Sequence, residues 1–280
     1  MYSLLAGSLS VERLEIPIRG LPLSLDGMRI VQLSDLHWDG LRLSQGLLQQ
    51  AIAATNAAKP DLIVLTGDYV TEEPEPIDQL AEHLSHLHSR SGIYAILGNH
   101  DLRYPHSQTK ITTAFTQAGI HVLWDQVAYP LGDRLALVGL RDYWSCRFNP
   151  TPVMAGLDPD LPRIVLSHNP DSAKTLQRWR VDLQLSGHTH GGQVVLPGFG
   201  PVVTGLKQLR RTLPKSWHRW LRLISGSCDK TVQHWKWAQG LHSVGENLLY
   251  VNRGLGTYLP GRLFCPPEVT VLTLVSKSVV

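Results

Sequence analysis

A chain of 280 residues, 43% hydrophobic and 18% charged, carries enough apolar material for a buried core, which excludes an intrinsically disordered polypeptide. Its 24 glycines and 18 prolines are dispersed and no fixed-period repeat is present, which excludes low-complexity linkers, solenoids and propellers. The net charge of +3 is small, but it is unevenly spread, and the local asymmetry says more about partners than the total.

The N-terminal stretch MYSLLAGSLSVERLEI is apolar for about ten residues, too few to span a bilayer, and it lacks the basic start and cleavage pattern of a signal peptide. Met28–Ser34 (MRIVQLS) is a short branched apolar run ending at Asp35 and predicts a buried strand. Ser44 is placed to cap a helix through LLQQAIAATNAA, which Pro60 stops. Asp61–Thr66 predicts a second strand ending at Gly67-Asp68. A helical stretch from about 76 to 89 then leads to a third strand, Ile93–Leu97, ending at Gly98-Asn99-His100-Asp101. Further along, short strands are predicted at Leu135–Leu140, Arg163–Ser167, Val181–Ser186, Gln193–Leu196, Leu248–Asn252 and Val269–Leu274, with helix at Pro170–Arg180 and after Lys207. Strands alternating with helices indicate an α/β protein with largely parallel pairing. Two packed sheets flanked by helices would hold all of it in one domain spanning 1–280. The longest uncharged run, Leu183–Leu206, is broken by Gly, Pro and His and is no membrane span. Cys146, Cys228 and Cys265 are far apart, form no CxxC pair and read as free thiols of a reducing compartment. A soluble cytoplasmic protein is the expectation.

Polar clusters sit at the predicted strand ends: Asp35-x-His37, Gly67-Asp68, Gly98-Asn99-His100-Asp101, His168, and Gly187-His188-Thr189-His190. In α/β sheets the site gathers at the carboxyl ends of strands. Carboxylate, amide and imidazole donors without thiolate suit borderline or hard divalent ions such as Mn, Fe, Zn or Co. Asp35 and His37 are two apart, and in an extended segment such side chains share one side, so one cation can be gripped by both. His188 and His190 repeat that spacing. Either pair alone has little specificity. The ordered set is specific.

That set, DxH, GD, GNHD, H and GHxH, resembles the calcineurin-like metallophosphoesterase superfamily from Arg29 almost to the C-terminus. The resemblance implies a four-layer αββα sandwich with two divalent cations, Mn foremost. The segment LYVNRGLGTYLPGRLFCPPEVTVLTL (Leu249–Leu274) is similar to the close of a bacterial branch of membrane-associated phosphodiesterases that includes enzymes like UDP-diacylglucosamine pyrophosphatases. Members often carry an N-terminal anchor or export signal, a pattern the first residues here do not match. By matching motif, Asp35, His37 and His190 hold one metal, Asn99, His168 and His188 the other, and Asp68 bridges them. A carboxylate shared between cations about 4 Å apart offsets their repulsion, and a water or hydroxide between them becomes a nucleophile near neutral pH. His100 would then be general acid, with Asp101 orienting its imidazole.

Other signals are balanced between two readings. Arg253, between Asn252 and Gly254, either contacts a substrate phosphate or pairs a sheet-edge carboxylate in a structural turn; Asp39 and Arg262 are fainter candidates of the same kind. From Leu183 to Cys228 there is no acid, while Lys207, Arg210, Arg211, Lys215, Arg219 and Arg222 fall there. Trp217, Trp220, Leu221 and Ile224 make an apolar stripe opposite Arg219 and Arg222. This helical insertion, at about 205–226, either packs on the core or meets a membrane or acyl chains, which would make the protein peripheral to a membrane. The expected reaction is hydrolysis of a phosphodiester or pyrophosphate, with an amphiphilic or lipid-linked substrate and no protein partner. A nuclease or cyclic-nucleotide phosphodiesterase is the alternative, although the basic positions follow helical spacing more than a nucleic-acid groove would. A non-catalytic scaffold is a further alternative, disfavoured because every motif position is filled.

Overall fold

A computed structural model of the chain describes residues 6–204 and 232–277. The predicted basic helix, with Trp217, Trp220, Arg219 and Arg222, lies outside the described residues.

The chain runs β1 (Ser10–Arg19), β2 (Arg29–Leu33), α1 (Gln45–Ala57), β3 (Leu62–Leu65), α2 (Ile77–Leu84), β4 (Ile93–Ala95), α3 (Ser107–Gln117), β5 (Ile120–Val122), β6 (Gln126–Ala128) and β7 (Ala136–Gly139). It continues with α4 (Thr151–Met154), β8 (Arg163–Leu166), α5 (Ser172–Leu176), β9 (Leu183–Ser186), β10 (Val195–Leu196), β11 (Gly200–Pro201), β12 (Gly240–Val244), β13 (Asn247–Val251) and β14 (Glu268–Lys277). The described strands form two six-stranded mixed sheets, ordered β1-β14-β2-β3-β4-β5 and β12-β13-β9-β8-β7-β6, and a small β10–β11 hairpin. Strands β2 to β5 are mutually parallel, as are β7, β8, β9 and β13, so in each sheet these strands end on the same side.

Three apolar layers follow from strand alternation. Between the sheets, Ile30, Leu62, Val64 and Leu272 meet Leu137, Ile164, Leu166 and Leu185. Their neighbours on the strands, Val31, Leu33, Ile63 and Leu65, face the other way and pack under α1, α2 and α3. Ala136, Val138 and Val165 likewise pack with Met154 and Leu176 of α4 and α5. Each strand in the middle of a sheet is thus apolar on both faces, which is why it reads as a continuous run. Burying such a side chain contributes about 1.5–3 kcal/mol. The result is the expected helix–sheet–sheet–helix sandwich.

Within the described residues the predicted strands and helices recur with trimmed ends, and Ser44 caps α1 by accepting from Leu47 N at 3.2 Å. Among the described elements, sequence reasoning missed β1, α3, α4, β5, β6, β11 and β12. In β1 only Ile16 and Ile18 are buried, and the remaining positions alternate with charge on an edge strand. In α3, SQTKITTAFTQ, the threonines have low helix propensity, and Ile111, Ala114 and Phe115 on its buried face hold the helix instead.

Candidate metal centre

The polar clusters lie where the parallel strands of both sheets end. Asp35 and His37 follow β2, Asp68 follows β3, and Asn99 and His100 follow β4; His168 follows β8, and His188 and His190 follow β9. The first sheet brings both carboxylates together with His37, Asn99 and His100, and the second brings His168, His188 and His190.

The local backbone differs from the extended form expected. Asp35, His37, Asp68, His188 and His190 all have positive φ, between 46° and 70°. The left-handed region is uncommon for residues other than glycine and costs on the order of 1–3 kcal/mol per position. Asp35 and His37 therefore converge through left-handed turns rather than by strand alternation. The same turns split the GHxH pair. His190 joins Asp35 and His37, whereas His188 joins Asp68 and His168, and in each triad the donor atoms lie within 4.8 Å of one another. One oxygen lies between the triads: Asp68 Oδ2 is 3.1 Å from His168 Nε2 and 3.7 Å from His37 Nε2.

The glycines of these motifs make room for the carboxylates. A Cβ on Gly98 would come within 2.8 Å of Asp68 Cγ and 2.6 Å of Asp68 N, and one on Gly187 would strike Asp35. Gly98→Ala is accordingly expected to displace Asp68 and to weaken divalent-metal affinity by about 10–100-fold, as loss of ligand support does elsewhere. Equilibrium dialysis against Mn²⁺ measures this, and unchanged affinity would refute the cradle.

Hydrogen bonds fix which imidazole atoms face inwards. His190 Nδ1 is 3.1 Å from Gly256 O, and His168 Nδ1 is 2.7 Å from Thr66 O, so each donates its Nδ1–H to a carbonyl. His37 Nδ1 is 3.1 Å from the Tyr258 hydroxyl. Two acceptors then confront one another, His190 Nε2 and Asp35 Oδ1 at 3.4 Å, with His37 Nε2 3.2 Å from the same His190 nitrogen. In the second triad, His168 Nε2 faces both Asp68 and His188 Nδ1, the latter at 3.1 Å. Lone pairs packed this closely need protons or cations between them. Asn99 Oδ1 is also buried, with no hydrogen-bond partner among the described residues. Oxygen and neutral imidazole donors with an orphan amide oxygen fit divalent cations.

The electrostatics agree. Burial pushes the Asp35 carboxyl up to about 6, with His168 opposing and Asp68 adding to the shift. Burial holds the His37 imidazole well below its ordinary range and lowers His190 to about 3, keeping both neutral, the form that ligates metals. His168 resists the cost of burial because Asp68 beside it drives it up to about 10. Burial also opposes charge on Asp68, but His168 and His100 hold it well below the usual carboxylate range. In this charge pattern a proton on His168 fills the role a cation takes.

His100 stands beside the first triad, its ring edge-on to His37 with centroids 4.8 Å apart. Its backbone N–H donates to Asp68 Oδ1 at 2.8 Å, and its Nδ1 lies 2.6 Å from Thr71 O. The expected Asp101–His100 contact is replaced by this carbonyl. The Asp101 carboxylate turns the other way, accepting from Asp68 N (2.7 Å), Gly98 N (2.8 Å) and Tyr69 N (2.8 Å), so it ties the GD loop to the GNHD loop. Arg253 has the contacts of the structural alternative: its Nε is 2.8 Å from Glu268 Oε2, and its terminal nitrogen pairs with Glu12. Glu12 lies on the edge strand β1 and Glu268 on its neighbour β14, and a guanidinium committed to two carboxylates is not offered to a phosphate. Arg262 donates to the carbonyls of Arg253, Gly254 and Gly256, bracing the segment that supports His190.

Sequence reasoning missed three residues. Tyr258 packs edge-on against His37 and His190 and lies under the Arg42 guanidinium, 4.4 Å from the ring centroid. Thr71 joins the backbone carbonyl that holds His100 to a hydroxyl that donates to Asp39, which in turn pairs with Arg42. Asp142, three residues beyond the end of β7, is buried with Oδ1 unpartnered among the described residues; burial pushes it up to about 6, opposed by His168 and aided by Asp68. Spacing between Tyr258, Thr71 and the metal motifs carries no signal, because the contacts are made by folding alone. Asp142 was the findable one, as an acid two residues after a predicted strand.

Comparison with known proteins places this geometry. A family model described as calcineurin-like phosphoesterase matches residues 28–192. The chain is 33% identical over 252 residues to phosphodiesterase YaeI of Escherichia coli, covering 88% of this chain and 82% of that protein. It is 29% identical over 296 residues to UDP-2,3-diacylglucosamine pyrophosphatase LpxG of Chlamydia trachomatis, covering 89% and 84%. One crystal structure superposes with a TM-score of 0.50 at 10% identity, covering 79% of this chain and 89% of that one, a likeness of fold.

Proposed function

Since this chain belongs to the calcineurin-like metallophosphoesterase family and is a phosphoester hydrolase, we propose that it cleaves a phosphodiester or pyrophosphate bond in an amphiphilic substrate, with two divalent cations, Mn²⁺ foremost, sharing Asp68. The observation that carries this reading is the position of Asp68 Oδ2 within reach of both triads. The amphiphilic substrate is supported by the substrate in the name of one relative, which joins a nucleotide to a diacylated sugar, and by the basic, tryptophan-bearing sequence between Lys207 and Arg222.

Asp35, His37 and His190 would hold one cation; Asn99, His168 and His188 the other. When bound, such a pair supplies Lewis acidity towards phosphoryl oxygens and an attacking water of lowered pKa. The chain's own groups do the rest. Thr66 O and Gly256 O hold His168 and His190 with Nδ1 protonated, so that their Nε2 lone pairs face the centre, and the Tyr258 hydroxyl orients the His37 ring through Nδ1. Asp101 fixes the Asp68 loop. Thr71 O orients His100 through Nδ1, leaving Nε2 to hold a proton and pass it to the leaving oxygen.

The purified protein is expected to hydrolyse a chromogenic phosphodiester with Mn²⁺, to lose that activity in chelator, and to regain it on metal return. Absence of turnover with every divalent metal tried would overturn the proposal.

A further inference from the structure

One flank of the metal centre carries donors for which the described residues supply no acceptor. His37 turns Nε2 inwards, 3.7 Å from Asp68 Oδ2, so a cation held there leaves the ring proton on Nδ1. That proton goes to the Tyr258 hydroxyl oxygen, 3.1 Å away. The oxygen is then the acceptor of the pair, and the hydroxyl's own proton points elsewhere. Among the described residues nothing else bonds to this hydroxyl.

Arg42 lies over the same ring, its guanidinium carbon 4.4 Å from the centroid, with its side chain 23% exposed. One terminal nitrogen pairs with Asp39, while Nε is buried without a partner among the described residues. A guanidinium is a rigid fork of five N–H donors, and a single carboxylate contact leaves most of this one unused. Asp39 is satisfied without it. Its Oδ1 accepts from Leu41 N and Arg42 N, and its Oδ2 from the Thr71 hydroxyl, each at 2.9 Å. The carboxylate therefore aims the guanidinium, whereas Arg253 and Arg262 are spent on carboxylates and backbone carbonyls.

The two groups are held together by backbone as well. Thr257 N donates to Arg42 O at 3.0 Å, and Gly256 N to Asp35 O at 2.7 Å, so the segment bearing Tyr258 is fastened to both loops after β2. The Tyr258 ring packs on His37 and His190, with centroids 5.0 and 5.2 Å apart, and lies 6.5 Å from the His100 ring. Tyr258, Arg42 and His100 thus gather around His37. A water would satisfy these donors one at a time. A phosphoryl group offers several anionic oxygens, and a guanidinium fork matches their spacing.

The geometry points to Tyr258 and Arg42 as donors to the non-bridging oxygens of the substrate's phosphoryl group, on the side where His100 meets the leaving oxygen. This rests on the hydrolase reading above and deepens it, because it gives two residues outside the metal motifs direct contact with substrate.

The test is isothermal titration calorimetry of inorganic phosphate into the Mn²⁺-saturated protein, for wild type, Tyr258→Phe and Arg42→Met. Metal content and hydrolysis of a chromogenic phosphodiester are measured alongside. Tyr258→Phe removes one oxygen, and Arg42→Met removes the charge while leaving an apolar stem. Each is expected to keep two ions per chain and to bind phosphate about tenfold or more weakly, with kcat/KM falling at least as far. Should Arg42→Met fail to fold, Arg42→Lys, which keeps the charge and loses the fork, carries the comparison. Wild-type phosphate affinity in the variants at full metal occupancy would overturn the assignment. So would a loss of phosphate binding that added Mn²⁺ fully restores, since the two residues would then act only through His37. Wild-type turnover reports separately on the hydrolase reading, so either can fail without the other.

Discussion

Asp68→Asn is expected to lower kcat/KM on a phosphodiester by about 10³-fold or more, on the order of 4 kcal/mol of transition-state stabilisation, while leaving the fold intact. The substitution is nearly isosteric. Asn retains an oxygen to accept from His100 N, the 2.8 Å contact that positions the GNHD loop. What it loses is the charge and lone pairs at Oδ2, the atom placed 3.1 Å from His168 Nε2 and 3.7 Å from His37 Nε2. Two cations held by neutral imidazoles, an amide and Asp35 alone would repel without a shared anion between them. Metal content is therefore expected to fall from two ions per chain to one or none, with the far-ultraviolet circular dichroism spectrum unchanged. Retention of both ions together with wild-type turnover would show that Asp68 is not shared.

His100→Ala is expected to separate metal binding from turnover. The imidazole is not a member of either triad; it leans on His37 and is held through Thr71 O. Removal is therefore expected to keep both metals and to cost about 10²–10⁴-fold in kcat, the range for a positioned general acid. The loss should depend on the leaving group. An alcohol of high pKa needs a proton as the bond breaks and a nitrophenolate does not, so the deficit should be large for alkyl esters and small for nitrophenyl esters. An equal deficit for both would assign His100 to phosphate binding. Loss of metal would assign it to the centre's structure.

The metal ligands were legible because each motif sits at the end of a buried strand, where apolar runs give way to polar residues. Runs such as DLIVLT and RIVLS are apolar on both faces, and sheets so covered place their chemistry at one end. The layers were legible for the same reason. What the sequence concealed was how each pair is turned. Period-two reasoning put His188 and His190 on one side, but left-handed backbone at both sends them to different triads, the division that the motif resemblance, not the spacing, implied. The role of Asp101 was hidden similarly. A carboxylate next to a histidine reads as its partner, yet three well-aligned backbone N–H groups at 2.7–2.8 Å satisfy it more fully. Arg253 could be read either way, since the choice depends on Glu12, remote in sequence and brought beside it only by the β1–β14 pairing. Tyr258 and Thr71 gave no sign, for they act by hydrogen bonds to ligands that only folding brings near.

Electron paramagnetic resonance of the Mn²⁺-loaded protein tests the shared aspartate most directly. Two ions joined through Asp68 are predicted to give an exchange-coupled spectrum at two equivalents of metal, which Asp68→Asn abolishes. A spectrum of isolated Mn²⁺ ions at full occupancy, unaltered by that substitution, would contradict it.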